Sequence, residues 1–249
     1  MMEEAVCQYL DWDSRFFGRR IGRVTPARLT PEVLPEIHSW ADSQQVDTLY
    51  LLADAQDPAT VKLAQQSGFQ FMDIRLTLER PLNLATSKKV GDALIRQWKE
   101  EDLPTLKTIA QVSHRDSRFY YDSNFTRDLC DAFYETWIEQ SCRGFAKQVL
   151  VAELDNAPSG YVTCNLSARA TGSIGLFAVA GDAQGRGLGQ DLIAAALNWF
   201  TENGANLATV VTQGRNTRAQ RVYQRCGFVT RTVQLWYHWS RPEFLNGSR

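Results

Sequence analysis

Apolar residues recur at helical or alternating spacing along most of the chain and predict a series of helices and strands. Leu129, Phe133, Trp137 and Ile138 follow helical spacing, which predicts a helix over residues 127–142. Residues 187–203 form a second amphipathic pattern that Gly204 is placed to end, and shorter helices are predicted from 101–104 and over 217–226. Strands are predicted over 93–98, 148–154, 160–166, 173–180, 207–212 and 232–239, with a turn at 155–160. Hairpin strands followed by a strand-helix-strand-helix-strand series favour an α/β fold with a mixed sheet.

The first eighty residues repeat part of this pattern. A buried strand is predicted over 49–52, a helix over 59–67 closed by Gly68, and an extended stretch over 69–78. Aligning Gly68-Phe69 with Gly227-Phe228 pairs the two helices and the strands after them, and sets Ala64 opposite Tyr223. Proline and short polar residues interrupt the pattern over 80–89. We therefore predict a truncated N-terminal region, residues 1–85, before a complete domain, residues 86–249.

Composition and charge narrow the classes of protein. The 249 residues are 44% hydrophobic and 22% charged, which fits a globular chain of one or two domains. Lys and Arg total 27 against 28 for Asp and Glu, so no overall field draws the chain to nucleic acid or to a membrane. No apolar run approaches the roughly 18 residues of a membrane helix and the first residues are acidic, so we expect a cytoplasmic protein. Five scattered cysteines and three isolated histidines predict neither a disulfide framework nor a metal site.

The residues between the strand at 173–180 and the next helix form a glycine-rich loop. Gly185, Gly187 and Gly189 alternate with Arg186 and Leu188, so successive backbone N–H groups can approach a ligand at the positive end of the helix. This arrangement favours a phosphate or pyrophosphate site, although a simple tight connector has the same composition. A Walker A loop would need Lys and Ser or Thr after the glycine, and a dinucleotide fingerprint would need a further glycine where Gln190 stands. Neither pattern fits.

Two motifs together resemble the GNAT superfamily of acyl-CoA N-acyltransferases. The loop matches the pattern Gln-x-x-Gly-x-Gly, with Gln184 in first place, and follows a strand that ends in Phe-x-Val. The pattern Asn-x-x-Ala-x-x-x-Tyr-x-x-x-Gly-Phe is complete from Asn216 through Tyr223 to Phe228. Seven residues are almost two helical turns, so Asn216 and Tyr223 lie on one side of a helix. The resemblance covers about residues 91–239 and implies a GNAT-like mixed central sheet flanked by helices, preceded by a truncated acyltransferase-like region.

The resemblance also implies a mechanism. Acetyl-CoA would be the cosubstrate, an amine would attack its thioester directly, and Tyr223 would donate a proton to the departing thiolate. A backbone N–H of the Phe177–Val179 strand would meet the oxyanion. The cofactor-binding residues that the family implies are Phe177, Val179, Gln184, Gly185, Arg186, Gly187, Leu188, Gly189 and Asn216. The general base stays open among ordered water, His114, Asp122 and Glu153.

A narrower resemblance concerns the acceptor. The segments around Arg118-Phe119, Asp122, Tyr134 and Trp137, with residues 12–18, are similar to bacterial N-acetyltransferases of TDP-linked 4-amino-4,6-dideoxy sugars. It implies that the acceptor is a nucleotide-linked amino sugar and that Arg118, Phe119 and Asp122 contact it. Another amine, such as an antibiotic, a polyamine or a protein N-terminus, is an alternative, as is a non-catalytic acyl-CoA-binding module. The expected partners are small molecules and not nucleic acid or a membrane, and a homodimer is the oligomer considered.

Overall fold

The computed structural model describes residues 5–83 and 90–241, which contain ten strands and seven α-helices. The strands are β1 (Cys7–Tyr9), β2 (Ile21–Val24), β3 (Thr48–Asp54), β4 (Gln70–Pro81), β5 (Leu94–Gln97), β6 (Gln148–Leu154), β7 (Ala157–Ser167), β8 (Thr171–Val179), β9 (Leu207–Gln213) and β10 (Val229–Ser240). The helices are α1 (Asp11–Phe17), α2 (Val33–Ser43), α3 (Pro58–Gln66), α4 (Leu103–Ser113), α5 (Arg127–Gln140), α6 (Leu188–Glu202) and α7 (Thr217–Arg225).

The strands form one mixed sheet in the order β1-β2-β3-β10-β4-β9-β8-β7-β6-β5. Among the described residues the β2–β3 and β8–β9 pairs are parallel, and the other neighbours are antiparallel. The predicted α/β fold with a mixed sheet flanked by helices is therefore confirmed. The predicted division after residue 85 falls at 84–89, outside the described residues, and stays a prediction.

Most predicted elements are present within a few residues, and three differences have physical causes. The turn after β6 is only Asp155-Asn156, both with positive φ, because these two residues alone close a tight hairpin and β7 begins at Ala157. The helix predicted over 127–142 ends at Gln140 and continues as one π-helical turn, Ser141–Phe145, that Gly144 ends with φ 108°. The sequence analysis did not predict β1, α1, β2 or α2. The two strands, of three and four residues, are too short to show periodicity.

The echo between the two ends of the chain holds element by element. The first and last residues of β3, α3 and β4 each lie 159 positions before those of β9, α7 and β10. At this offset Asp57, which caps α3, corresponds to Asn216, which caps α7, and Ala64 corresponds to Tyr223. An extra residue bulges β4 at Met72 and β10 at Arg231, again 159 positions apart.

The two repeats exchange their last strands. β3 pairs with β10 and not with β4, while β9 pairs with β4 and not with β10. β4 and β10 then pair with each other, and Arg75 lies opposite its own counterpart, Gln234. A pseudo-twofold axis therefore passes between Arg75 and Gln234. Each half of the sheet depends on a strand from the other, and this brings β4 of the N-terminal region beside β9.

Three apolar cores hold helices on the sheet. The β1–β3 part of the sheet packs with α2 and α3 around Ile37, Leu49 and Leu51. Near the other end, α6 and α7 cover one face of the sheet, around Leu192 and Phe200. The opposite face is covered by α4 and α5, with a cluster of aromatic rings from α1, α5 and the segment between α4 and α5. These rings belong to Phe16, Phe17, Phe119, Phe125 and Phe133.

Candidate active site

The two parallel strands near the middle of the sheet separate along their length. β8 and β9 pair only as far as Ile174 and Val210. There β8 has a β-bulge, because Gly175 and Leu176 together face Thr163 of β7, and the Leu176 N–H donates to the Thr163 hydroxyl at 2.7 Å. Glycine is required at 175 because a Cβ would lie 2.7 Å from that same oxygen. The bulge bends β8 and opens a cleft between residues 175–179 and 211–213.

A cavity of about 620 Å³ passes through this cleft. Asn216, Ala219 and Tyr223 of α7 line it on one side of the sheet. On the other side its walls come from α5, from His114 directly after α4 and from a short helical turn, Arg118–Tyr121. The N-terminal region contributes Trp12, Asp13, Asp73 and Arg75. The cavity therefore has one end at α7 and another among aromatic and charged side chains from both regions.

The glycine loop before α6 presents free backbone donors. Gly185 and Gly187 have φ of 82° and 84°, the left-handed region that favours glycine. The backbone N–H groups of residues 185–189 make no hydrogen bond within the described part of the chain. Gln184 braces the loop, because its side-chain amide donates to the Val179 carbonyl at 3.0 Å and accepts from Arg218. Free N–H groups at a helix N-terminus suit an anion such as a pyrophosphate.

Asp191 fixes the start of α6 against the segment before β5. Its two carboxylate oxygens accept from the backbone N–H groups of Val90 and Gly91, each at 2.8 Å. A Cβ on Gly187 would lie 2.9 Å from the Gly91 nitrogen, so this glycine is required by packing as well as by its φ. Gly185 has no atom within 4 Å of its Cβ position and faces open space.

The other predicted cofactor residues occupy different positions. The Leu188 side chain is buried in the apolar core under α6, so only its backbone is available to a ligand. Arg186 is about half exposed and lies 3.9 Å from Asp155. Phe177 lines the cavity, and Val179 ends β8 opposite Gly160. Gly189 lies against Phe177, since a Cβ there would be 3.2 Å from the ring.

Asn216 and Tyr223 both line the cavity, as their spacing predicts. Asn216 also caps α7, because its side-chain oxygen accepts from the Ala219 N–H at 3.0 Å. The Tyr223 ring lies between Phe177 and Phe228, and only 4% of the residue is exposed. Burial raises the pKa of Tyr223 well above its ordinary value. Its hydroxyl therefore keeps its proton at neutral pH, as a general acid requires.

Arg118 is held from behind by a buried pair. The Arg118 Nε–H donates to His238 Nε2 at 3.1 Å, and His238 Nδ1 donates to Asp122 at 2.6 Å. The guanidinium lies 4.1 Å from the Trp236 ring centre and 4.9 Å from that of Tyr50. Burial lowers the pKa of His238 to about 4 although Asp122 opposes this, so His238 is neutral at pH 7 and accepts from Arg118.

Of the three predicted acceptor-binding residues, two reach the cavity. Arg118 and Phe119 line it. Asp122 does not, because it is buried behind His238, and its hydrogen bonds to His238 and Asn124 keep its pKa below the ordinary value despite burial. Its position gives it a supporting role toward Arg118.

The candidate bases differ in position. Glu153 is paired with Arg96 at 2.5 Å outside the cavity lining, and Asp122 is bonded to His238. His114 lines the cavity, but its Nε2 lies 2.9 Å from the Tyr161 hydroxyl, and burial lowers its pKa to about 4. It is therefore a weak proton acceptor at neutral pH.

Other cavity residues, among them Asp73, Arg75 and Trp236, were not assigned to the site by sequence reasoning. The alternation along β4 places Asp73 and Arg75 on its polar face, which suggests exposure, yet Asp73 is 2% exposed and Ile74 is 37% exposed. The only indication in the sequence was that Asp73 and Arg75, two opposite charges, lie two residues apart on one face of a strand. Recognising it required knowing that β4 lies beside β9.

Neither a metal cluster nor a membrane helix is found among residues 5–83 and 90–241. These ranges contain no group of three or more His, Cys, Asp or Glu side chains that could hold a metal ion. Within the same ranges, no helix is long and apolar enough to cross a membrane. The cytoplasmic location and the homodimer considered from the sequence stay predictions.

Comparison with known proteins identifies the family. Residues 106–228 match the model of the acetyltransferase (GNAT) family, and this span contains the bulged strand β8, the glycine loop and Tyr223. The chain carries an acetyltransferase domain of the GNAT family. It is an acetyl-CoA-dependent N-acetyltransferase by that membership, as the two motifs in its sequence predict.

Individual relatives agree with this placement. The chain is 29% identical over 244 residues to a dTDP-fucosamine acetyltransferase of Escherichia coli O6:H1, which covers 96% of this chain and all of that protein. It is 26% identical over 137 residues to the spore coat polysaccharide biosynthesis protein SpsD of Bacillus subtilis, covering 55% of this chain and 47% of that one. A GCN5-related N-acetyltransferase from Sphaerobacter thermophilus has a similar fold, with a TM-score of 0.67 at 14% identity over 95% of this chain and 76% of that one.

Proposed function

We propose that this GNAT enzyme transfers an acetyl group from acetyl-CoA to the primary amine of a nucleotide-linked amino-deoxy sugar, with a TDP-linked sugar as the first candidate. The observation that carries the proposal is the presence, within one cavity, of an acyl-transfer cleft and two arginines that have no carboxylate partner within 4 Å among the described residues. The similarity to a dTDP-fucosamine acetyltransferase over 96% of the chain supports it.

The two arginines favour an anionic acceptor. Among the described residues, Arg75 hydrogen-bonds only to the neutral side chains of Thr77 and Gln234, at 3.2 and 2.8 Å. Arg118 bonds to neutral His238. Burial and the nearby positive charge of Arg118 lower the pKa of Arg75. A bound diphosphate would offset the cost of two half-buried guanidinium groups that repel each other, and arginine suits phosphate oxygens geometrically.

Aromatic side chains line the same end of the cavity. Trp12, Phe119, Tyr134, Trp137 and Trp236 all contribute to its wall. Such rings stack on bases and on the apolar faces of sugars. This combination of rings and guanidinium groups fits a nucleotide-linked sugar better than it fits a polyamine, which has no anionic group for the two arginines.

The glycine loop, which lies next to the cavity residue Phe177, fits the pyrophosphate of acetyl-CoA. Five consecutive N–H groups without partners among the described residues, and the absence of a side chain at Gly185, form a cradle for the pyrophosphate. Acetyl-CoA supplies the acetyl group as a thioester. β8 lacks β9 on one edge beyond Ile174, so backbone N–H groups there can stabilise negative charge on the thioester oxygen. Protonated Tyr223 donates to the sulfur that leaves.

A screen of acceptors tests the proposal. Release of free thiol from acetyl-CoA is followed with TDP-4-amino-4,6-dideoxy sugars, the same sugars without nucleotide, a polyamine and a peptide N-terminus. We expect the nucleotide-linked sugars to give the highest kcat/KM. Comparable or faster turnover of the polyamine or peptide would reject the amino-sugar acceptor, and absence of turnover with every amine would favour a non-catalytic acyl-CoA-binding module.

A variant sharpens the test. Arg118→Met should lower kcat/KM for the nucleotide-linked sugar by about tenfold or more and leave the free sugar little changed, since only the former carries phosphate. Arg169→Met, an exposed arginine outside the cavity lining, is the matched control. Equal losses with both sugars would contradict a phosphate contact at Arg118.

A further inference from the structure

The general base is the unassigned part of the reaction, and the exchanged strand β4 supplies a group for it. We propose that Asp73, a residue of the N-terminal region, accepts the proton of the acceptor ammonium and so produces the amine that attacks acetyl-CoA. This inference rests on the proposed transfer to an amine.

Strand exchange brings Asp73 to the cleft. The last β4–β9 pair is Arg75 with Gln213, and Asp73 lies two residues beyond it, where β9 has ended and the cavity begins. Its backbone is fixed on both sides, because the Ile74 carbonyl accepts from Gly214 N–H at 2.7 Å and the Met72 carbonyl accepts from Arg215 at 2.6 Å. The β4 bulge at Met72 is adjacent. Bulges next to active sites commonly re-aim a side chain.

One oxygen of the carboxylate is engaged and the other is available. Asp73 Oδ1 accepts from the Ile74 N–H at 2.8 Å and lies 3.6 Å from Arg215 Nε. Oδ2 makes no hydrogen bond to the described residues. Only 3% of the side chain is exposed to solvent although it lines the cavity. A buried carboxylate that lines a cavity and has one oxygen without a partner among the described residues is arranged to receive a proton from a bound ligand.

The electrostatic surroundings suit that task. Burial raises the pKa of Asp73 to about 6, against the positive charge of Arg215. At neutral pH the group is therefore ionised, and it is a stronger base than an ordinary carboxylate. The charged or titratable groups around it are Arg215 after β9, Arg118 in the helical turn, Asp116 after α4, Tyr134 on α5, Arg75 on its own strand and Asp13 on α1.

The second repeat provides an internal comparison. The residue 159 positions after Asp73 is Thr232, on the same kind of strand and next to the equivalent bulge. Thr232 is exposed and does not line the cavity. Of the two equivalent positions, only the one at the acyl-transfer cleft carries a carboxylate.

The proton balance closes with Tyr223. An N–H bond of the ammonium breaks, its electron pair stays on nitrogen, and the proton passes to Asp73 Oδ2. The nitrogen lone pair forms the new bond to the thioester carbon while the carbonyl π electrons move to the oxygen; this pair then re-forms the carbonyl as the carbon–sulfur bond breaks, and Tyr223 protonates the sulfur. The second amine proton restores Tyr223, and Asp73 releases its proton to water. One amide, one thiol and one proton result.

The pH dependence of Asp73→Asn tests the role. The amide keeps the size of the side chain and can still accept from Ile74. At pH 7 we expect kcat/KM for the best acceptor in the screen to fall about 100-fold, in the range of a lost general base. The deficit should shrink toward pH 9, where the acceptor loses its proton to water. A uniform deficit at all pH values would indicate a structural role and overturn the proposal.

Two comparison variants locate the effect. Glu79→Gln lies on the same strand outside the cavity lining and should leave the pH profile unchanged. Asp13→Asn removes the other carboxylate of the cavity, and a profile shift with Asp13→Asn but none with Asp73→Asn would also overturn the assignment.

A readout without turnover keeps this inference separate from the proposed function. In enzyme labelled with carboxyl-13C aspartate, one resonance that titrates near pH 6 should disappear in Asp73→Asn. If no amine is acetylated in the screen, the proposed function fails while this titration still decides whether Asp73 can accept a proton at neutral pH. A side chain that titrates in the ordinary range would refute the base.

Discussion

At the scale of single residues, Tyr223 combines a motif position with a suitable environment. Its seven-residue spacing from Asn216 placed both on one side of α7, and the structure sets both in the wall of the cavity. The surroundings of Tyr223 could not be predicted from this spacing, because Phe177 and Phe228, which pack around its ring, come from other parts of the chain. That packing keeps the hydroxyl protonated.

Tyr223→Phe should lower kcat by about 100-fold and leave acetyl-CoA affinity nearly unchanged, because only the proton donor is removed. Because a thiolate leaves more readily than an amine, the loss in kcat can be as small as about tenfold for a residue that acts as the acid. Steady-state turnover at saturating substrates and a calorimetric titration measure the two quantities. Normal turnover would exclude the residue as the acid, whereas weaker binding with normal turnover would make it a cofactor contact.

His114 and His238 should make stability depend on pH. Burial lowers the pKa of each to about 4, whereas an unfolded histidine takes up a proton near 6.5. The unfolded state thus binds more protons between these values, and the free energy of unfolding falls as the pH drops through this range. Asp73, raised to about 6, has the opposite sign. His114→Gln should make the fall shallower in urea titrations at several pH values, and an unchanged slope would contradict the buried neutral state.

At the scale of elements, the bulge in β8 creates the cleft. Thr163→Val should destabilise the protein by about 1–3 kcal/mol, because the buried Leu176 N–H loses its acceptor. We also expect reduced turnover as β8 straightens toward β9. Thr163→Ser keeps the hydroxyl and is the matched control. Denaturant unfolding and kinetics measure both effects, and equal behaviour of the Val and Ser variants would show that the hydroxyl does not maintain the bulge.

The glycine loop gives a second prediction at this scale. Gly185→Ala adds a Cβ in open space but strains a residue with φ of 82°, which should tilt the neighbouring N–H groups. We expect the acetyl-CoA dissociation constant to rise about tenfold, a cost of about 1.4 kcal/mol. Gly181→Ala, which also adds its Cβ in open space but has no positive φ, is the control for calorimetry. Substitution of Gly187 is a poorer test, because its Cβ would collide with the Gly91 backbone and disturb the fold.

The local pattern of apolar and polar residues predicted most helices and strands. It gave wrong predictions of side-chain exposure where pairing with distant strands determines that exposure. The helices α6 and α7 were predictable because their apolar residues, caps and terminal glycines agree with one another. The alternation along β4 gave the strand but the wrong exposure for Asp73 and Ile74, since exposure depends on which strands become neighbours. The loop and Tyr223 could be predicted as site residues from sequence because they lie in short motifs. Asp73 and Arg75 were not assigned to the site because only the exchange of strands brings them to the cleft, and His238 was not assigned because its contacts with Arg118 and Asp122 join distant parts of the sequence.

At the scale of the whole molecule, the two repeats are similar in fold but differ at the ligand position. In the N-terminal repeat, the connection before α2 contains two prolines and no glycine, and Leu29 is buried there with its N–H donating to Thr60 at 2.7 Å. Ala64 stands where the other repeat has Tyr223. We therefore expect one acetyl-CoA per chain by calorimetric titration. Two equivalent sites would contradict the assignment.

The exchange of strands should make the two parts of the chain interdependent. Residues 90–249 alone lack β4, which lies between β9 and β10, and should not form a stable enzyme. Coexpression with residues 1–83 should restore a soluble complex with acetyl-CoA binding, because the interface consists of continuous sheet pairing. Copurification and thermal melting of the pair check this. An active, stable fragment 90–249 would show that the exchange is dispensable.

The exchanged strands also set the order in which this chain can fold during synthesis. β4 ends at Pro81, and its partner β9 begins only at Leu207. The partner of β3 is β10, which begins at Val229. At typical translation rates of about 5–20 residues per second, the ribosome takes roughly ten seconds to produce the intervening residues. Throughout that interval β3 and β4 have emerged but cannot complete their native pairing. The nascent N-terminal region is therefore most exposed to misfolding and to chaperones during this interval. The carboxylate of Asp73 reaches its native position only after β10 has been synthesised.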